Sequence, residues 1–381
     1  MLLKKPKKNY WEERSRMSNI PKLRFPEFKG EWEEKKIIQF CEISAGGDID
    51  KNNSQKEYSS SYPYSVYSNS LENKGLYGYA NYYKIDSDVV TVTGRGDVGH
   101  AVARHEKFVP IVRLLVCKPK NNENVNFLEN AINKTKIFIE STGVPQLTAP
   151  QLGNVKLFLP SLAEQQKIAD FLSNVDSIIT AETKILNTLQ KKKKALMQKL
   201  FTQQLRFKSD NGKDFPAWEE KKLGECVISI SSGKNKKKNS AGNFPVYGSM
   251  GIIGYSEQYV YNKDCILVAR VGANAGTLHI AKGKYDVSDN TLIIELNENE
   301  LLSFYYFLLV NINLNKLNYG TGQPLVTSGM LKNIDIQIPC KAEQQKIADC
   351  LSSLDSLIQT QQKVVTTWQQ RKKALLQQMF I

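Results

Sequence analysis

The chain is poor in the residue types on which most self-sufficient active sites and metal centres are built. Three histidines (His100, His105, His279) and six cysteines (Cys41, Cys117, Cys226, Cys265, Cys340, Cys350) are scattered over 381 residues without a C-x-x-C pair. That spacing argues against a zinc site and against a disulfide scaffold, and the cysteines read as small buried thiols in a reducing compartment. No G-x-x-x-x-G-K-[ST] phosphate loop, no H-E-x-x-H and no G-x-S-x-G elbow is present, so catalysis by this chain alone is not expected. Long apolar runs are missing as well: Cys265–Ala269 and Phe304–Val310 fall far short of the ~18–20 residues that cross a bilayer. The N-terminal Met1–Lys8 is basic, but Asn9-Tyr10-Trp11-Glu12-Glu13 stands where a signal peptide would carry its apolar segment. No membrane partner is expected, and the chain should stay in the cytoplasm.

Acidic residues are also short in supply, with 38 Asp and Glu against 52 Lys and Arg, a formal net charge of +14. A polyanionic partner is implied. Hydrophobic residues at 41% and charged residues at 24% are ordinary for globular proteins, which excludes wholesale disorder. At about 100–200 residues per domain, the length suggests two or three domains.

The sequence repeats itself. Residues 163–170 read AEQQKIAD, and residues 342–349 read AEQQKIAD again. At the same offset Thr142, Gly143, Pro145 and Thr148 map onto Thr321, Gly322, Pro324 and Thr327, and Lys193, Ala195 and Leu196 map onto Lys372, Ala374 and Leu375. Earlier in each half, Trp32-Glu33-Glu34-Lys35-Lys36 corresponds to Trp218-Glu219-Glu220-Lys221-Lys222 with a shifted offset, so insertions are confined to the stretch between. A period this long means tandem domains rather than a solenoid.

Each half has two parts. From Leu162 to Phe201 apolar residues recur in steps of four and three (Ile168, Leu172, Val175, Ile179, Leu186, Leu189, Leu196, Leu200), a heptad seam. The second half repeats the seam with Ile347, Leu351, Leu354, Ile358, Val365, Trp368, Leu375 and Met379. Its polar interruptions match too, Glu182 with Gln361 and Lys193 with Lys372, which suggests that the two helices pair with each other. The other part reads as short strands with a few helical segments. Val89–Thr93, Val109–Cys117 and Val155–Leu159 are matched by Cys265–Arg270, Thr291–Leu296 and Ile334–Ile338, with helices over Asn126–Thr135 and Glu300–Asn311. The expected fold class is α+β: two tandem α+β domains separated by two long antiparallel helices forming a coiled coil, with a pseudo-twofold internal repeat. The expected boundaries are 1–20 for a tail, 21–160 and 206–339 for the two heads, and 161–205 and 340–381 for the helices. Met17-Ser18-Asn19 looks like a natural start, which leaves residues 1–16 as a tail without a fold role.

On the paired E-Q-Q-K-I-A-D helix openings, the paired T-G-x-P segments and the F-P…W-E-E-K-K lead-ins, the chain resembles the specificity (S) subunit of type I restriction-modification enzymes over nearly its whole length. The resemblance implies that each head is a target recognition domain reading one half of a split double-stranded DNA sequence. It implies that the helices space the heads and dock two modification (methyltransferase) subunits, with Gln165, Gln166, Lys167, Gln344, Gln345 and Lys346 as partner-facing residues. Restriction (endonuclease/translocase) subunits would join them. No cofactor is expected in this chain; S-adenosylmethionine, ATP and Mg belong to the partner subunits.

Several residues are candidates for DNA contact. Arg95 and Arg270 occupy corresponding places in glycine-rich loops after a strand, where a guanidinium could grip guanine or clasp a phosphate, against the alternative of a surface arginine paired locally. Lys234, Lys236, Lys237 and Lys238 form a charge run in one loop, with Lys51 and Lys56 in its counterpart, and phosphate contact is the functional reading. Tyr67 with Ser68 and Tyr247 with Ser249 close corresponding segments; the two serines could donate to base edges, while the tyrosines are candidates for DNA contact against the alternative of core positions. Lys191–Lys194 reads mostly as a solvated or partner-facing helix surface. Gly94-Arg95-Gly96-Asp97-Val98-Gly99 fits G-x-G-x-x-G, and the alternative function is therefore an enzyme binding S-adenosylmethionine or a nucleotide there. A third possibility is a coiled-coil adaptor without DNA, which the net charge disfavours.

Overall fold

A computed structural model describes residues 19–135, 137, 146–235, 242–317 and 324–381. The N-terminal tail, Thr142, Gly143, Pro145, Thr321, Gly322 and the lysines Lys236, Lys237 and Lys238 lie outside the described residues. The chain forms two compact units, one running to Glu182 and including Val364–Ile381, the other spanning Thr183–Lys363.

In the first unit, strands Cys41–Ala45, Leu115–Pro119, Val89–Val92 and Ala101–Arg104 lie side by side in that order, all antiparallel. A second sheet has the order Ser54–Gln55, Leu76–Ala80, Tyr64–Tyr67, Phe108–Pro110, its last pair parallel. Glu33–Lys36 pairs with Lys156–Leu159, bringing the start of the head next to its end. Helix Val125–Lys134 begins at Asn124, whose side chain accepts the Phe127 N–H at 2.9 Å, and buries Phe127, Leu128, Ala131 and Ile132 at three- and four-residue spacing. These side chains share a core with Trp32, Val90, Val92 and the long-helix residues Ile168 and Leu172.

The second unit repeats the plan except at one edge, where Tyr261–Asn262 joins Lys284–Val287 while the first unit has Ser54–Gln55 beside Leu76–Ala80. Its sheets run Val227–Ser232, Thr291–Leu296, Cys265–Ala269, Leu278–Ala281 and Gly251–Ser256, Phe244–Gly248, Lys284–Val287, Tyr261–Asn262, with Glu219–Lys222 paired to Asp335–Ile338. Helix Leu302–Ile312 takes the place of Val125–Lys134. Two mixed α+β units with long helices are thus what the duplicated pattern requires.

The long helices span Leu162–Phe201 and Lys341–Met379. Within the first unit Ile168 and Leu172 share a core with Leu375 and Met379, and Lys372 meets Asp176 at 2.6 Å. Within the second, Met197 and Leu200 share a core with Ile347 and Leu351, and Lys193 meets Asp355 at 2.5 Å. In each unit the helix segments therefore run antiparallel. The lysines that interrupt the seam are explained: each answers an aspartate on the facing helix, and the two ion pairs are repeat-related. Such pairs fix register more than they add stability.

Val109–Cys117, read from sequence as one strand, is two. Val112 and Arg113 both take left-handed backbones (φ 53° and 59°), and the turn carries the chain from the parallel edge of one sheet into the middle of the other. A mostly apolar run, interrupted only by Pro110 and Arg113, conceals this, because only tertiary pairing forces a valine into that region.

Candidate nucleic-acid interface

The glycine-rich turn Gly94–Gly99 joins two antiparallel strands, Val89–Val92 and Ala101–Arg104, rather than a strand and a helix. Without a helix N-terminus to receive a phosphate, the G-x-G-x-x-G pattern is not a dinucleotide or S-adenosylmethionine turn, and the enzyme alternative built on it fails. The glycines serve the hairpin: Gly96 and Gly99 have φ of 71° and 87°, and Gly272 and Gly276 repeat them at 78° and 90°.

The same hairpin corrects a correspondence. Leu147 donates its N–H to the Gly94 carbonyl at 2.9 Å, and Val326 to the Arg270 carbonyl at 2.8 Å. Arg95 bridges to Gln146, and Val271 to Leu325. Arg270 is therefore the counterpart of Gly94, and Arg95 the counterpart of Val271, one position off the sequence alignment. Arg95 is exposed. Arg270 is half-buried, and its Nε finds no partner among the described residues.

Around Gly94 several loops converge. The Asn69 side chain accepts the Gly94 N–H at 2.7 Å and donates to the Val112 carbonyl at 2.7 Å, tying the end of strand Tyr64–Tyr67 to both turns. A Cβ at Gly94 would sit 2.9 Å from the Leu147 carbonyl, so the close approach requires glycine. Arg113, exposed on the left-handed turn beside this junction, was not singled out by sequence reasoning, because its run reads as strand interior.

The remaining candidates separate. Tyr67 is buried; its hydroxyl donates to Glu106 at 2.6 Å, and burial together with that carboxylate raises its pKa. It is not free to meet a base. Ser68 is half-buried, its N–H bonded to Gly75 at 2.8 Å, and it aligns with Gly248 rather than with Ser249. Ser249 lies in the short turn next to His279, whose pKa burial lowers. Tyr247 packs edge-on against Tyr285 at 5.6 Å. Lys51 is exposed at the opposite end of its strands from the Ser68 turn, and Lys56 lies over the Tyr77 ring at 3.4 Å. Lys234 is exposed beside Gly233, where a Cβ would collide with the Ser288 and Val287 carbonyls at 2.3 Å.

The repeated E-Q-Q-K-I-A-D segment proves to be a joint inside each unit. Glu164 is 1% exposed and accepts Arg24 Nε at 2.8 Å, Arg24 Nη2 at 2.7 Å and Trp32 Nε1 at 3.3 Å. Glu343, 0% exposed, accepts Arg206 Nε at 3.1 Å, Arg206 Nη2 at 2.6 Å and Trp218 Nε1 at 3.1 Å. Each carboxylate raises the pKa of its arginine. Gln165 and Gln344 are buried and donate to the Pro160 and Pro339 carbonyls at 3.1 and 3.0 Å. Gln166 and Gln345 bond Asp170 and Asp349, both at 2.8 Å, while Lys167 meets Glu27 and Lys346 meets Asp210. The arginines were missed, although Leu23-Arg24-Phe25 recurring as Leu205-Arg206-Phe207 was a visible signal.

Among the described residues no cluster of three His, Cys, Asp or Glu forms a metal site, and no helix is long and apolar enough to cross a membrane.

Comparison with known proteins adds context. The family described as the type I restriction modification DNA specificity domain matches residues 29–191 and 217–367. The Methanocaldococcus jannaschii type I restriction enzyme MjaVIII specificity subunit is 29% identical over 275 residues, covering 62% of this chain and 64% of that protein. The putative MjaX specificity subunit of the same organism is 28% identical over 298 residues, covering 70% and 69%. A putative type I specificity subunit of Mycoplasma pneumoniae, S.MpnORF507P, is 33% identical over 36% of this chain and 39% of its own. The match to the first of these thus spans just under two thirds of its length. In fold, the chain is similar to the crystal structure of a type I restriction-modification S subunit from M. genitalium, with a TM-score of 0.69 at 17% identity over 95% of this chain and 99% of that one.

Proposed function

The chain belongs to the type I restriction modification DNA specificity family, and on that premise we propose that it is the non-catalytic subunit that selects the DNA sequence for a type I restriction-modification complex. Each head, 21–160 and 206–339, reads one half of a split double-stranded target. The observation that supports the reading is the duplication itself: two units that share one antiparallel four-stranded sheet and the three central strands of a second present loops of different length and sequence at equivalent places. In the first head Arg95, Arg113 and Lys51 offer exposed positive charge; in the second Lys234 does so, with Lys236, Lys237 and Lys238 beside it in sequence. Phosphate contacts of this kind position a protein on DNA, and base contacts then give the sequence.

The long helices dock two modification subunits, and restriction subunits join through that assembly. Gln165 and Gln344 are buried, so the docking face uses the neighbouring exposed residues Gln166, Lys167 and Gln345 and the half-buried Lys346. S-adenosylmethionine, ATP and Mg act in the partner subunits, and this chain itself holds no cofactor.

A domain swap tests the reading. Replacing residues 30–160 with the first head of another family member should change one half of the methylated sequence and leave the other half unaltered, as mapped by genome-wide sequencing of methylated adenines. A change in both halves would show that the heads are not independent readers.

A further inference from the structure

The turn that closes strands Tyr64–Tyr67 and Leu76–Ala80 differs from its counterpart in the second head. Both hairpins carry a bulge at the same place, Val66/Tyr67 and Val246/Tyr247, which fixes their alignment. Between equivalent ends, the first head inserts Asn69–Lys74 where the second has only Ser249 and Met250. The fold does not need the insertion, because its duplicate closes without it. Two heads that read different half-sites must differ where they touch bases.

The inserted loop is held in one shape. Asn73, Lys74 and Gly75 have consecutive left-handed backbones, with φ of 47°, 55° and 87°. Glycine adopts this readily and asparagine tolerates it, but a lysine does not choose it unaided. The surroundings impose it. The Ser68 N–H donates to the Gly75 carbonyl at 2.8 Å, and a Cβ on Gly75 would lie 2.6 Å from the Ser68 carbonyl. The Arg104 guanidinium donates to the Lys74 carbonyl. Arg104 is 4% exposed, lies over the Tyr67 ring at 3.6 Å and donates its Nε to Thr91 Oγ1 at 3.1 Å. At the other root of the loop, Asn69 clasps Gly94 next to Arg95. Leu71, Glu72, Asn73 and Lys74 remain exposed, and Leu71 shares a cleft with Gly96, Asp97 and His100. A braced backbone under exposed polar side chains loses little freedom on binding.

We propose that Leu71–Lys74 is a base-reading element of the first head, with Asn73 and Lys74 directed to base edges in the major groove and Arg104 as the positioning residue beneath them. The amide of Asn73 matches the N6 and N7 pattern of adenine, and the ammonium of Lys74 matches guanine O6 and N7. The inference rests on the two-head reading above and names the residues by which one head would perform it.

The test uses the full chain expressed with its modification subunits, with methylated adenines mapped genome-wide and binding measured on duplexes varied one base pair at a time. Asn73→Asp keeps the shape and the left-handed tolerance but replaces the amide donor with a carboxylate. It should reduce discrimination at one base pair of the first half-site by roughly 5- to 100-fold. Lys74→Gln should do so at a neighbouring pair, with the second half-site unchanged in both variants. Arg104→Met should weaken both positions together while leaving the salt dependence of non-specific binding as it was. Arg104→Lys should not rescue, because one ammonium cannot replace the planar fork that reaches both Thr91 and the Lys74 carbonyl. Because Asn73 and Lys74 are exposed, those two variants fold whether or not the Arg104 variants do. Wild-type discrimination at every position in Asn73→Asp and Lys74→Gln would overturn the proposal and leave the two-head reading standing. The absence of any methylated motif that depends on the wild-type chain would overturn both.

Discussion

Replacing Glu343 with Gln removes the charge on which Arg206 and Trp218 converge while barely changing the volume of a side chain that is 0% exposed. Removing one partner from a buried ion pair costs about 3–5 kcal/mol, since the other charge is left desolvated without an answer. Arg206 keeps 27% of its side chain accessible and can turn partly toward water, so the lower end, about 3 kcal/mol, applies. For a unit of this size each kcal/mol moves the melting point by roughly 2–4 °C, which puts the shift at about 6–12 °C. Differential scanning calorimetry of the full chain should show that loss in the transition of the second unit. Glu164→Gln should place an equivalent loss in the first, where Arg24 and Trp32 hold the carboxylate. A double-mutant cycle with Arg206→Met should return a coupling of about 2 kcal/mol or more, because the two residues lose one shared interaction. A shift below about 2 °C, or additive single changes, would refute the argument that this carboxylate clamps the start of the long helix to the head.

The crossed ion pairs of the long helices make a register prediction: Lys193→Glu sets a carboxylate beside Asp355 and should destabilise by roughly 1 kcal/mol in urea melts, with Asp355→Lys in the same chain restoring most of it. If the double variant is no better than the sum of the singles, the pair does not specify register. His105 supplies a pH prediction. Burial alone would lower its pKa, but Asn126 at 3.1 Å and Asp88 at 3.1 Å outweigh that and raise it. The stabilisation is therefore fully present below the unfolded value of about 6.5 and is lost as pH rises through the raised folded value. Proton NMR titration of His105 should show the elevated midpoint, and Asp88→Asn should return it toward 6.5; an unmoved midpoint in that variant would remove Asp88 as the cause.

Much of this protein is written in the sequence itself. The exact repetition of AEQQKIAD, the matched heptads and the matched breaks at Lys193 and Lys372 determine a duplicated α+β unit with paired long helices, because periodicity and repetition depend only on residue order. The buried Glu164 and Glu343 were visible as members of the repeat, and their arginine partners could have been found from the two Leu-Arg-Phe segments. Tertiary structure decided the rest. Whether Gly94–Gly99 is a phosphate turn or a hairpin depends on which element follows in space, and the antiparallel pairing of Val89–Val92 with Ala101–Arg104 settles it. That Gln165 is buried and Gln166 exposed follows from the direction in which the helix meets the head, which heptad spacing does not encode. The left-handed turns at Val112–Arg113 and Asn73–Lys74 arise because distant groups, the sheet partners in one case and Arg104 in the other, hold the backbone where local preference would not take it.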